Sequence, residues 1–349
     1  MASRKLTEST VPSMREKSTG TPVLIGLDWG TSSLRAYLFD ATGAVIDRRH
    51  SDNGIMRLPK PREVGGFDAA FEAICGDWLE SHDLPVVAAG MVGSAQGWME
   101  APYVSAPVNR APLAAALATV ESSRGVTVRI VPGVIAHGAA PNVMRGEETQ
   151  IFGALVAHPE LAQRGKTLIG LPGTHAKWAF VVDGKIERFL TFMTGEVFGV
   201  LRDYSILGRT MHPCPDTHDS AFLRGVETAK EHGEAGVLAT MFSARTLGLT
   251  GELPPEEQSD YLSGVLIAHE LLGLQSHLAA EDSTLSDWAL ALIGQSALSQ
   301  RYATALGRLG CVDVRVLHGT TECGLFQIAR DSGLLSPSPT CAGQVGANQ

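Results

Sequence analysis

The residues best suited to chemistry lie where an apolar run is interrupted, in LIGLDWGTSSLRAYLFDATGAVI (24–46). The run halts at Asp28, and Trp29, Gly30, Thr31, Ser32 and Ser33 follow before apolar residues resume at Leu34. Such a bend between two strands has a physical use. Glycine lets the backbone approach a ligand closely, and the hydroxyls with their amides suit phosphate oxygens. Asp28 would repel phosphate unless a cation stood between them. A lone carboxylate suits Mg²⁺, which keeps several waters and takes one or two carboxylates besides phosphate. Arg35 pairs with phosphate, pairs with Asp28, or lies on the surface.

The plan is repeated in LIGLPGTHAKWAFVVDGKI (168–186), whose LIGL begins 144 residues after the first. Pro172 stands near the place of Asp28, so Asp28 is expected to serve as the shared metal carboxylate, and Gly173, Thr174 and Lys177 remain for a phosphate chain. Either bend alone also reads as an ordinary tight turn; the duplication favours a nucleotide. Gly165-Lys166-Thr167 ends like a P-loop, but Glu160 occupies the position of its first glycine, and no GxGxxG follows a strand.

Four further groups carry candidates. RGEETQIFGAL (145–155) puts Glu147 and Glu148 in the first turn of an expected helix, where the helix dipole favours carboxylates. Either could accept the proton that phosphoryl transfer to an alcohol releases, and both could merely cap the helix. Ser94, Gln96, Gly97 and Trp98 follow an expected strand in a loop, where open α/β sheets place ligand contacts; Trp98 equally suits the core. Glu196, in MTGEVFG after the second hairpin, faces the cleft or forms a structural salt bridge. For a flat base, the glycine turns at Gly294, Gln295 and Ser296 and in HGTTECG (318–324), with Gly319, Thr321 and Gly324, are candidates, or are plain strand-to-helix connections. HPCPDTHD (212–219) matches no structural zinc spacing, and His175 could hydrogen-bond its own turn.

The elements that must position these residues follow from periodicity. Phe67, Ala70, Phe71, Ile74, Trp78 and Leu79 have helical spacing over 67–81, and 85–93 reads as a buried strand ending in glycine. After the second hairpin come a loop-rich insert, a helix over 261–278, a strand over 289–294, a helix near 296–309 and a strand over 312–317. A three-stranded hairpin followed by alternating helix and strand describes a mixed sheet covered by helices. Two such lobes, 23–165 and 166–349, are expected to meet over a cleft behind a flexible polar leader, 1–22.

Composition bounds the rest. The chain of 349 residues is long for one core, and 44% hydrophobic with 19% charged residues fits a globular enzyme. A net charge of −9 without clustered Lys and Arg argues against nucleic acid. Cys75, Cys214, Cys311, Cys323 and Cys341 are scattered and form no CxxC, which suits a reducing cytoplasm. No uninterrupted apolar window is long enough to span a membrane.

The paired DxGTxxxR and LPGTHxKW bends, with ALIGQSALSQRYATAL (291–306), resemble the sugar kinase and actin superfamily. More narrowly, GMVGSAQGWMEAPYVSAPV (90–108), RGEETQIFGAL, LPGTHAKW (171–178) and FMTGEVFGVL (192–201) resemble the 2-dehydro-3-deoxygalactonokinase family, over about residues 23–330. The resemblance implies an α/β fold of two duplicated ribonuclease H-like lobes, mixed five-stranded sheets flanked by helices, around an ATP-binding cleft. It implies ATP and Mg²⁺ as cofactors, a small sugar acid as partner phosphorylated at its terminal hydroxyl, and no nucleic acid or membrane partner. It also implies a base just before or within the first turn of the 147 helix: Glu147 follows its glycine as the superfamily's acid does, whereas Glu148 fits an alignment from the helix. Substrate contacts would then fall to Ser94, Gln96, Trp98 and Glu196. A homodimer is a base-rate expectation. The alternatives are a kinase for another sugar and a noncatalytic regulator of the same fold; the short leader and lack of a helix-turn-helix pattern count against the regulator.

Overall fold

The computed structural model describes residues 20–311 and 313–335. Most of the expected leader and Cys341 lie outside the described residues. The first half of the chain runs β1 (Pro22–Trp29), β2 (Leu34–Asp40), β3 (Val45–Ser51), α1 (Gly66–Ser81), β4 (Val86–Ala89), β5 (Tyr103–Ser105) and α2 (Arg110–Ala115). It continues through β6 (Ala118–Glu121), β7 (Thr127–Ile130), β8 (Gly133–Ala136), β9 (Asn142–Met144), α3 (Glu147–Ala157) and α4 (Pro159–Gln163). The second half begins with β10 (Lys166–Leu171), β11 (Ala176–Val182), β12 (Lys185–Phe192), α5 (Thr194–Tyr204), α6 (Asp219–His232), α7 (Val237–Thr240) and α8 (Ser243–Leu249). Then come α9 (Gln258–Ala279), β13 (Ala289–Ile293), α10 (Ser296–Arg308), β14 (Val314–Leu317) and α11 (Thr320–Asp331).

The repeated LIGL segments are equivalent strands. β1 lies antiparallel to β2 and parallel to β4, with Asp28 opposite Ala89; β10 lies antiparallel to β11 and parallel to β13, with Gly170 opposite Leu292. The sheets run β3-β2-β1-β4-β7-β6 and β12-β11-β10-β13-β14. Each therefore contains the ribonuclease H-like order, an antiparallel meander whose first strand continues into parallel neighbours. The first sheet has six strands where five were expected, because β6, which precedes β7, pairs antiparallel with it and extends the edge. A small third sheet, β5-β8-β9, packs with the second sheet's core through Val134 and Met144.

Burial explains the strand sequences. Leu24, Ile25, Leu27, Leu168, Ile169 and Leu171 are all buried, as expected of strands covered on both faces. The segment after β12 is helical where a loop-rich insert was expected: Leu207, Ala221, Ala244 and Leu253 form a separate core with Tyr261 and Val265 of α9.

Chain order and packing part company at two helices. α3 comes before the second sheet yet buries Ile151, Phe152 and Ala154 against Ile169, Leu171 and Ala179 of that sheet. α11, which ends the second half, packs Leu325, Ile328 and Ala329 against Leu24, Tyr37 and Phe39 of the first sheet. The two helices cross backbone to backbone: a Cβ on Gly153 would stand 1.8 Å from the Thr320 carbonyl oxygen, and one on Gly324 2.0 Å from that of Thr149. Only glycine allows so close a crossing.

Candidate active site

A cleft of about 790 Å³ opens where the carboxyl ends of both sheets' central strands meet. Open α/β sheets place ligands at such a point. Asp28, Gly30 and Thr31 line it from the first bend, Gly173, Thr174 and His175 from the second, Gly294 and Gln295 from the end of β13, and Gly319 and Thr321 from the start of α11.

Tight backbone turns bring the first wall together. Gly90 has φ of 98° and a Cβ there would lie 2.8 Å from the Trp29 carbonyl oxygen; Gly146 has φ of 108° and a Cβ there would lie 3.0 Å from the Gly90 Cα. Larger residues at 90 and 146 would push α3 away from the bend. The close stack puts Glu147 and Asp28 on the wall of one cleft.

Helices α3, α10 and α11 begin at this cleft, after Gly146, Gln295 and Gly319. Unpaired amides and the helix dipole at such ends favour anions. The face of β2 and β3 adds cations: Arg35 lies opposite His50 and Tyr37 opposite Arg48, and all four line the cleft. Alternation along two paired strands creates this patch, of which Arg35 and the RRH string of β3 are the signals in the sequence. Arg35 donates to Asp28 at 3.2 Å, and Arg48 lies 3.1 Å from Glu322. Burial raises the Asp28 pKa, against the opposing pull of Arg35.

The two adjacent glutamates have different surroundings. Glu147 lines the cleft and accepts from the Arg145 amide at 2.9 Å. Burial raises its pKa, while the Lys177 and His175 side chains pull it down. Glu148 points away and is fully buried; it accepts from the Gly146 amide at 2.7 Å and the Thr149 hydroxyl at 3.0 Å. Burial and the Glu147 charge push it up to about 8. Its position is that of a helix cap, out of reach of a ligand.

Several expected contacts lie elsewhere. Trp98 stacks on Phe67 and meets Trp29 and Phe71, so it belongs to an aromatic core, not to the cleft wall. Ser94 is buried behind the wall, and Gln96 and Ser32 are exposed without lining the cleft. Lys177 is buried on β11, where burial lowers its pKa and Glu147 opposes the shift. Glu196 sits at the start of α5 paired with His175, half exposed at the rim. Gly324 lies within α11 against Thr149, not in a turn, because the helix already starts at Thr320. In the loop 212–219, the His218 amide and ring both bond Asp260, which ties the segment to α9.

The donor set fits a divalent cation only as part of a nucleotide complex. No group of three or more metal-ligating side chains occurs among the described residues. Of the three carboxylates that line the cleft, Asp28, Glu147 and Glu322, Asp28 lies in the first bend beside Gly30 and Thr31, and one such carboxylate is enough for Mg²⁺ when phosphates and waters complete its shell.

Known proteins share this architecture and sequence. The family model described as 2-keto-3-deoxy-galactonokinase matches residues 28–328. A 2-dehydro-3-deoxygalactonokinase of Escherichia coli is 34% identical over 308 residues, 87% of this chain and 97% of its own. A Rhizobium meliloti protein described as a probable 2-dehydro-3-deoxygalactonokinase is 33% identical over 87% of this chain and 95% of its own. A crystal structure from Sinorhizobium meliloti, assigned to the same kinase, superposes with a TM-score of 0.75 at 31% identity, covering 88% of this chain and 98% of the other.

Proposed function

The chain belongs to the 2-keto-3-deoxy-galactonokinase family, and from that premise we propose that it transfers the γ-phosphoryl group of ATP to the terminal hydroxyl of 2-dehydro-3-deoxy-D-galactonate. The products are the 6-phosphate and ADP, in galactonate catabolism. The observation that supports this reading best is the joint placement of Glu147, Asp28 and three helix N-termini around one cleft.

Each group has a role that its surroundings support. Thr31 and Thr174 offer hydroxyls and amides to the phosphate chain. Gly294, Gln295, Gly319 and Thr321 border the space for the nucleotide, with the α10 and α11 dipoles favouring its negative charge. Asp28 holds Mg²⁺, which when bound neutralises phosphate charge. Glu147 takes the proton from the attacking hydroxyl, a form of assistance that contributes about 10²- to 10⁴-fold. The Lys177 charge opposes the rise that burial gives the Glu147 pKa and so favours its ionised form. Closure of the two lobes, one built on each large sheet with α3 packed on the second and α11 on the first, excludes water, so that phosphate goes to the sugar. Cytoplasmic location and a homodimer complete the proposal. No helix among the described residues is long and apolar enough to cross a membrane.

Side-by-side kinetics test the reading. We expect a higher kcat/KM for 2-dehydro-3-deoxygalactonate than for the gluconate-derived epimer, with glycerol and free hexoses poor. Sites that hydrogen-bond a hydroxyl reject a misplaced one because buried partners are left unpaired. Preference for a neutral polyol or hexose overturns the substrate. Absence of sugar-dependent ADP from all of them favours the noncatalytic regulator.

A further inference from the structure

Directly before the Gly146–Glu147 turn stands a buried cation whose hydrogen bonds are incomplete. Arg145 is 8% exposed and borders the cleft. Its Nη2 donates to the Ala101 carbonyl at 2.8 Å, but Nε and Nη1 have no partner. The backbone passes close to the guanidinium at Gly93, where a Cβ would lie 3.0 Å from Nη1. Burying a guanidinium with two idle nitrogens is costly, and an anion that fills them recovers the cost. A carboxylate matches the planar fork of arginine with two parallel hydrogen bonds.

We propose that Arg145 is the anchor for the substrate's C1 carboxylate and thereby the residue that makes this kinase select sugar acids over neutral sugars. The inference rests on the sugar-acid kinase reading above. The same short segment then reads both ends of the substrate. The Arg145 side chain holds the acid, while Glu147, bonded to the Arg145 amide, faces the hydroxyl to be phosphorylated. Tyr103 covers the guanidinium, its ring centroid 4.4 Å from Cζ. That ring is 42% exposed on a three-residue strand and covers the face of the guanidinium, leaving its edge to the acid.

The test compares kcat/KM for 2-dehydro-3-deoxygalactonate with that for its C1 carboxamide, which keeps the shape and removes the charge. Wild type should prefer the acid, and Arg145→Met should lower that preference on the order of a hundredfold, as expected when one partner of a buried charge pair is removed. The loss should appear in the sugar KM, with the KM for ATP little changed. If Arg145→Met does not fold, Arg145→Lys, which keeps the charge but not the fork, decides the same ratio and should lower it about tenfold. An acid preference in wild type that persists in these variants overturns the anchor alone. A wild type that favours the carboxamide or neutral sugars overturns the anchor and the sugar-acid reading together.

Discussion

At the scale of single residues, the glutamate pair shows what a sequence can and cannot say. RGEETQIFGAL places two carboxylates in one helical turn, but consecutive helical positions point about 100° apart, so only one can face a given cleft. Glu147 lines the cleft and Glu148 is fully buried. We therefore expect Glu147→Gln to lower kcat by about 10²-fold or more with the KM for ATP little altered, and Glu148→Gln to act mainly on stability. A Glu148→Gln enzyme crippled while Glu147→Gln turns over normally would reverse the assignment. The same carboxylate sets a pH dependence. Burial raises the Glu147 pKa and Lys177 draws it back. Because the base must be ionised, activity falls as pH drops through that pKa. Removing the lysine charge raises the pKa further, so Lys177→Met should move the acid limb of kcat/KM to higher pH, and Glu147→Gln should abolish the limb. A limb that stays in place or moves down would separate Lys177 from the base.

At the scale of elements, the strands and most helices were legible because their apolar periodicity was strong. The duplicated LIGL hairpins gave the central strands of both sheets, and the helix expected over 67–81 is α1. Trp98 and Gly324 were misplaced for definite reasons. A tryptophan in a polar loop has no periodicity to reveal that its ring packs on Phe67. A glycine after TTEC reads as a turn unless the partner helix is known, and here that partner is α3, distant in sequence. Arg48 and His50 went unnoticed because their meaning depends on pairing with β2. The helix crossing makes a prediction at this scale. Gly324→Ala drives a Cβ to 2.0 Å from the Thr149 carbonyl oxygen, and such overpacking typically costs about 1–3 kcal/mol. Because α3 carries Glu147, kcat should fall along with Tm. Gly307 in α10 meets nothing within 4 Å, so Gly307→Ala should instead stabilise by up to about 1 kcal/mol. Thermal melts that rank the two variants the other way would show that the helices are free to spread.

At the scale of the whole molecule, the cleft wall is assembled from both sheets, and the helices that bound it are exchanged between them. α3 carries the proposed base but packs on the second sheet, whereas Asp28 belongs to the first. A ligand touching both walls must fix their relative position, and the work of fixing it is shared by whichever ligand binds first. The second then meets a cleft already set, so sugar acid and nucleotide should bind with positive coupling, typically about 5- to 150-fold between two such sites. Calorimetry with a nonhydrolysable ATP analogue measures this directly. The Kd for the sugar acid should drop in its presence, and the Kd for the analogue should drop by the same factor when the sugar is bound, since linkage is reciprocal. Thermal stabilisation by the pair should likewise exceed the sum for each ligand alone at the same multiples of its separately measured Kd. Equal sugar affinities with and without nucleotide would mean that the two walls are held rigidly before any ligand arrives. Exclusion of water by closure would then have to be abandoned, while the assignment of Glu147 and Asp28 would stand, because it depends on their place in the cleft and not on its motion.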